Sequence, residues 1–343
     1  IIWMQSAIPP SLFLVGIFLF ACLLSMTIGT SVGTIVALAP LVSQTPFSSE
    51  SDVYLLLGAI VGGAMFGDNL SFISDTTIAV TKTHGIEIRD KFKANIRLVL
   101  PAAVITSLIY ILNPLSPFEL DTREIPAINW ASVLLICPYL IVLILAFSGL
   151  NLLLVLSIGI LGFLLVGFTV SNLSFAELLN ASNAGVLSLT ELSIIAMLLG
   201  GLSGLVQLFG GFDIILKKLK RNSHTPRTAG LNIIGLSALL NTLLANNTLS
   251  IIIAGPLAKD IAQHNQIPFT KSASIVDTIT CAIQGILPYG AQLLLAVALS
   301  GKNVSSFALV PYVIYPILIG ISTLVFVLLT YNWQKSRAEK SQN

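Results

Sequence analysis

Charge is scarce in this sequence. Asp, Glu, Lys and Arg make up 9% of the 343 residues, against about 25% in an ordinary soluble domain. So few charges cannot cover the surface of a water-soluble globule. They suit a chain whose outer surface faces lipid, as does a mean hydropathy of +0.93. A net charge of +2, with no basic stripe interleaved with aromatics, argues against a nucleic-acid partner. Cysteine and histidine are also rare, at three each. Cys22, Cys137 and Cys281 stand in apolar runs without CxxC spacing and read as buried spectators. His84, His224 and His264 fall in polar connections. HExxH, GxSxG and Walker motifs are missing, which leaves a metalloprotease, a serine hydrolase and an ATP-driven pump without support. Neither an enzyme nor a cofactor is expected. The chain starts Ile-Ile-Trp, without Met or a cleavable leader, and reads as a fragment or processed chain.

Long apolar runs are plentiful. They lie near 9–41, 53–80, 98–113, 131–147, 151–169, 191–211, 229–257, 273–300 and 311–331. A plain transmembrane helix needs about 20 apolar residues. The runs 9–41, 53–80, 229–257 and 273–300 exceed that and are interrupted by Gly, Pro and polar residues. Lys82, Arg89, Lys91, Lys93 and Arg97 crowd one connection, and Lys217, Lys218, Lys220, Arg221 and Arg227 another. Lys259 and Lys271 flank a third, and Lys335, Arg337 and Lys340 lie in the tail. Only Arg123 and Lys302 fall elsewhere. The positive-inside rule makes these four segments and the C-terminus cytoplasmic.

That orientation requires 9–41 to be a re-entrant hairpin, 53–80 a broken span and 98–113 a plain span. The same order recurs, inverted, as hairpin 229–257, broken span 273–300 and span 311–331. Thr34-Ile35-Val36-Ala37-Leu38-Ala39-Pro40-Leu41 aligns with Ser250-Ile251-Ile252-Ile253-Ala254-Gly255-Pro256-Leu257, and Ala79-Val80 with Ala296-Val297. The expected fold is all-α and polytopic, with inverted repeats, re-entrant hairpins and broken transmembrane helices. The first repeat ends over residues 1–113, the second covers 131–331, and a tail follows over 332–343. Spans 131–147, 151–169 and 191–211 precede the second hairpin without counterparts before the first, so about three N-terminal helices are expected to be missing.

The densest polar cluster is Gly67-Asp68-Asn69-Leu70-Ser71-Phe72-Ile73-Ser74-Asp75-Thr76-Thr77, inside an apolar run. A carboxylate at membrane depth costs a few kcal/mol or more unless it is paired. Every Lys and Arg is assigned to a connection or to the tail, so the missing positive charge is read as a bound proton, metal ion or cationic substrate. Gly, Asn and Ser favour an unwound stretch whose carbonyls join carboxylate, amide and hydroxyl oxygens around a hard cation. Asp68, Asn69, Ser71, Ser74, Asp75 and Thr76 are the candidate ligands there, joined by Thr30, Ser31 and Thr34 from the segment Thr27–Thr34, expected as the first hairpin tip. Asn246, Asn247 and Thr248 are expected at the second tip. Asp277, Thr278, Gln284 and Gln292 complete the second-repeat site. Glu191 and Asp213 read as interfacial.

The string from Gly67 to Thr77 resembles the GD-x-x-S-P-x-S-D-T-T signature of NhaC-type sodium/proton antiporters, with Phe72 where the family usually has Pro. Thr30-Ser31-Val32-Gly33-Thr34 is similar to that family's G-T-S-x-G-T segment. Asp277-Thr278 and Gln284-Gly285-Ile286-Leu287-Pro288-Tyr289-Gly290 are similar to its D-T/Q-G-x-x-P-x-G pattern. The resemblance implies a multi-pass protein of the bacterial inner membrane that exchanges sodium for protons by alternating access. Expected partners are sodium ions, protons and membrane lipids, with a homodimer as one oligomeric option. The alternatives are a cation-coupled carrier of an organic anion or amino acid and, in another class, an ion channel.

Overall fold

The computed structural model describes residues 10–45, 49–113, 115, 152–170, 173–188 and 225–340, with scattered positions in 134–145 and 190–210. Among the described residues every regular element is helical. Most of runs 131–147 and 191–211 lies outside them, as do Glu191, Asp213 and the basic cluster 217–221.

Helix α1, Pro10–Ile28, is mostly apolar and stops at Gly29, whose φ of 77° is a left-handed conformation that a side chain would strain. Thr30 is extended, and α2, Ser31–Leu38, starts immediately. Helix α3, Glu50–Leu70, is capped by Ser49, which accepts from the Asp52 amide, and carries Glu50 and Asp52 in its first turn. Residues 71–74 break the helix, and Ser74 caps α4, Asp75–His84. Gly85, at φ 67°, ends α4, and α5, Ile88–Leu112, follows within three residues.

After α6, Leu152–Thr169, and α7, Phe175–Ser188, the order repeats. Helix α8, Pro226–Leu244, opens on a Thr225–Thr228 capping box with proline in its first turn. It ends at left-handed Ala245, and Asn246 caps α9, Asn247–His264. Helix α10, Phe269–Ile286, breaks at residues 287–290 before α11, Ala291–Leu299. A short α12, Ser306–Leu309, and a 3₁₀ turn lead through a 57° bend into α13, Ile314–Lys340.

Three stretches among the described residues are long and apolar enough to cross a membrane: Glu50–His84, Ile88–Leu112 and Phe269–Leu299. The bent pair Ser306–Tyr312 and Ile314–Leu329 adds a fourth. With these helices, the chain is a multi-pass membrane protein.

Packing between the halves is reciprocal. Helix α4 lies on α9, and α11 lies on α2; likewise α5 packs on α10, and α13 on α3. Each broken helix therefore places its second half against the second arm of the other half's helix pair. Lipid tails are as apolar as Leu, so close fit rather than water exclusion holds such helices together. Gly63 and Gly67 supply it on α3. A Cβ at Gly63 would meet the Phe18 carbonyl at 2.5 Å, and one at Gly67 would overlap Ser25 on α1. The Ser25 hydroxyl, seated there, donates to the Ala64 carbonyl at 2.6 Å.

Three expectations need correction. Residues 67–70 stay helical, and the break is the shorter stretch 71–74. The plain span starts at Ile88, not 98, so most of the first basic segment is helix. The connection 170–190 holds helix α7. Charged residues do not stop a helix by themselves; the left-handed glycine at 85 does.

Candidate functional site

All four helix breaks meet at one cavity of about 150 Å³. The first half contributes Gly29 to Val32, Asp68, Asp75 and Thr76; the second contributes Ala245 to Thr248, Gln284, Ala291 and Gln292. Four helices begin on its wall: α2 at Ser31, α4 at Asp75, α9 at Asn247 and α11 at Ala291. Each brings backbone N–H groups that have no partner within the helix, and the positive end of its dipole.

Asp68 is the buried acid of this cavity, 6% exposed on the last turn of α3. The Ser31 hydroxyl donates to its Oδ2 at 3.2 Å, the Thr76 hydroxyl to its Oδ1 at 3.3 Å, and the Ser74 hydroxyl to the same Oδ1. Among the described residues no lysine or arginine pairs with it. Asp75 sits on the same wall, exposed, as the first residue of α4. Its negative charge is favoured by the helix N-terminus it occupies.

A chain of donors enters from the second half. Asn241 Nδ2 donates to Gln284 Oε1 at 3.2 Å and Gln284 Nε2 to Gln292 Oε1 at 2.7 Å. Gln292 Nε2 then donates to Ser31 Oγ at 3.3 Å, and Ser31 to Asp68. Asn241 escaped the sequence reading. Its signal was an amide in the apolar second half of α8, where burial demands a partner. At the second tip the Asn246 side chain is spent on capping, accepting from the Leu249 amide at 2.9 Å. Asn247 Oδ1 is buried without a hydrogen-bond partner among the described residues, and Thr248 lines the wall beside it.

The other candidates lie away from the cavity. Ser71 donates to the Met26 carbonyl, and Thr34 to the Thr30 carbonyl. Asn69 Nδ2 faces Cys281 and Tyr315. Thr278 donates back to Ser274 and receives Thr323. The carbonyl of Asn69 is taken by Lys91 Nζ at 2.8 Å and Asn95 Nδ2 at 2.9 Å, and that of Ser71 by Thr77. These two carbonyls are thus taken by protein donors rather than left for a cation.

Lys91 overturns the expectation that no basic residue enters the apolar region. It is 1% exposed, and its ammonium lies 2.9 Å from Asp277 Oδ2 and 2.7 Å from the Thr77 hydroxyl. Asn95 supports the pair by donating to Asp277 Oδ2 at 2.6 Å. Asp277 therefore has a resident counter-ion, and Asp68 does not. The α4–α5 turn is so short that α5 starts alongside the broken helix. Lys91, Asn95, Leu98 and Ala102 then share one buried face. That helical spacing was visible in the sequence beneath the crowd of charges around it.

The Na+/H+ antiporter family model matches residues 3–113 and 120–331. The chain is 23% identical to the Na(+)/H(+) antiporter NhaC of Alkalihalophilus pseudofirmus, over 94% of this chain and 75% of that one. It is 21% identical to an uncharacterized Na(+)/H(+) antiporter of Haemophilus influenzae, over 84% and 68%. A shorter match, 31% identical, covers 30% of this chain and 22% of the malate-2H(+)/Na(+)-lactate antiporter of Bacillus subtilis. These relatives are transporters. With nearly its whole length matched, and with the motifs around Asp68, Ser31 and Gln284 meeting at one cavity, this chain belongs to the Na+/H+ antiporter family.

Proposed function

We propose that this chain exchanges sodium for protons across the bacterial inner membrane, with its C-terminus cytoplasmic, and that Asp68 is the carboxylate they share. The observation that carries this is the buried Asp68, ringed by hydroxyls and lacking a basic partner. A proton or a monovalent cation would each neutralise it. Ser31, Ser74 and Thr76 serve both states, because a hydroxyl that donates to a bare carboxylate can rotate and offer a lone pair to a cation. Asp75, at the exposed edge, raises the local cation concentration. Of the two carboxylates buried on the broken helices near their breaks, Asp277 is offset by Lys91, which leaves Asp68 for an exchangeable cation.

Alternating access would come from two inverted repeats whose re-entrant tips and broken helices rock about this cavity. The reciprocal packing of α4 on α9 and α11 on α2 supports that repeat. In proteoliposomes with a lumenal pH dye, sodium pulses should move protons through the wild type. Asp68→Asn should abolish the sodium response, because an amide neither carries an exchangeable proton nor offers a charge to the cation. Near-normal flux in that variant would remove Asp68 from the mechanism.

One feature favours a second reading. Four helix N-termini on one cavity suit an organic carboxylate carried with the cation. Proton movement that needs an added organic anion besides sodium would select it.

A further inference from the structure

A second cavity, of about 200 Å³, lies on the basic side of the molecule between the starts of α5 and α10 and the middle of α13. Its wall carries Lys93, Arg97 and Lys271 against a single acid, Asp90. Among the described residues no carboxylate lies within ion-pair distance of Lys93 or Arg97. Lys93 and Arg97, on one face of α5 beside Lys271, repel one another, and a multiply hydrogen-bonding anion would relieve this. The Thr270 hydroxyl lines the same hollow, and α10 begins there without a side-chain cap.

The surroundings identify the anion's class. Phe326 closes the cavity on the α13 side, with the Lys271 ammonium 5.9 Å from its ring. Next to Arg97 on α5, Ile96 is 36% exposed and Leu100, one turn on, is 51% exposed. On α13, Val325 and Leu329 are likewise exposed. A cationic hollow that opens onto apolar surface fits a molecule with a phosphate at one end and hydrocarbon at the other. We propose that this cavity binds the phosphate headgroup of an anionic phospholipid from the leaflet on the basic side, its acyl chains lying along Ile96, Leu100 and Leu329. The inference does not depend on the transport reading.

The test is a titration of the purified full chain, in an uncharged detergent, with dioctanoyl phosphatidylglycerol, dioctanoyl phosphatidylcholine or inorganic phosphate, read by the thermal unfolding midpoint. Phosphatidylglycerol should raise the midpoint saturably, and the other two should not. Each surface cation is worth about five-fold in anionic-lipid affinity. The double variant K93Q/R97Q should therefore bind phosphatidylglycerol about 25-fold more weakly. Asp90→Asn should bind it about five-fold more tightly, a gain that a folding defect cannot imitate. Equal stabilisation by phosphatidylcholine, or by free phosphate, would overturn the proposal. So would wild-type affinity in both variants.

Discussion

At the scale of single residues, the two acids buried on the broken helices, Asp68 and Asp277, differ in what neutralises them. Asp277 is held by Lys91 and Asn95, whereas Asp68 meets hydroxyls only. A buried pair broken from one side costs about 3–5 kcal/mol, because the remaining charge stays buried and alone. Lys91→Met should thus destabilise the protein by about that amount in detergent. Lys91→Met with Asp277→Leu should recover most of the loss, since both charges leave together. A double-mutant cycle on unfolding midpoints decides it: additive losses would mean that the pair is not coupled. Asp68→Asn should instead leave the fold intact, because the amide oxygen can still accept from Ser74 and Thr76 while its Nδ2 donates to the Ser31 hydroxyl. The sequence reading recognised Asp68, Ser31, Gln284 and Gln292 as polar groups in need of partners. It misassigned Lys91 because a run of charges resembles a solvated loop, and only the tertiary fold reveals which face of α5 is covered.

At the scale of elements, small residues let the breaks lie close to their partners. Gly67 sits one position before Asp68 and against Ser25 and Met26 of α1, three residues ahead of the α1–α2 break. A methyl there must push α1 away, and Ser31 would move from Asp68 with it. Overpacking of this kind costs about 1–3 kcal/mol. Gly67→Ala should therefore lose stability by that margin and lose sodium-driven proton movement. Gly235→Ala on α8 is the control: nothing lies within 4 Å of the added methyl. That change should stabilise slightly, by up to about 1 kcal/mol, from helix propensity. If the two variants behave alike in flux assays, close packing at Gly67 does not position the site. The breaks themselves were largely legible, because Gly29-Thr30, Ser71 to Ser74, Asn246 and Pro288-Tyr289-Gly290 interrupt apolar runs with turn-forming residues. Their lengths were not. Asp68 and Asn69 remain helical because their side chains and carbonyls find partners without unwinding.

At the scale of the whole molecule, one cavity joins elements more than 200 residues apart in sequence. The donor chain from Asn241 through Gln284 and Gln292 to Ser31 ends on Asp68 and links both halves to one carboxylate. Neither this chain nor the reciprocal packing could be read from the sequence, since each is a long-range juxtaposition without a local pattern. Together they make a global consequence of occupancy testable. A cation on Asp68 would tighten the four breaks at once, and only the folded state has that site. Ligand at 100 times its dissociation constant stabilises by about 2.7 kcal/mol. Sodium should therefore raise the unfolding midpoint of the purified protein by several degrees, and choline should not. If protons compete for the same oxygens, as proposed, the sodium increment should be largest at alkaline pH and shrink on acidification. In Asp68→Asn it should vanish at every pH. A sodium increment that survives this substitution, or that grows as the pH falls, would mean that the stabilising cation sits elsewhere and that Asp68 is not where sodium and protons exclude each other.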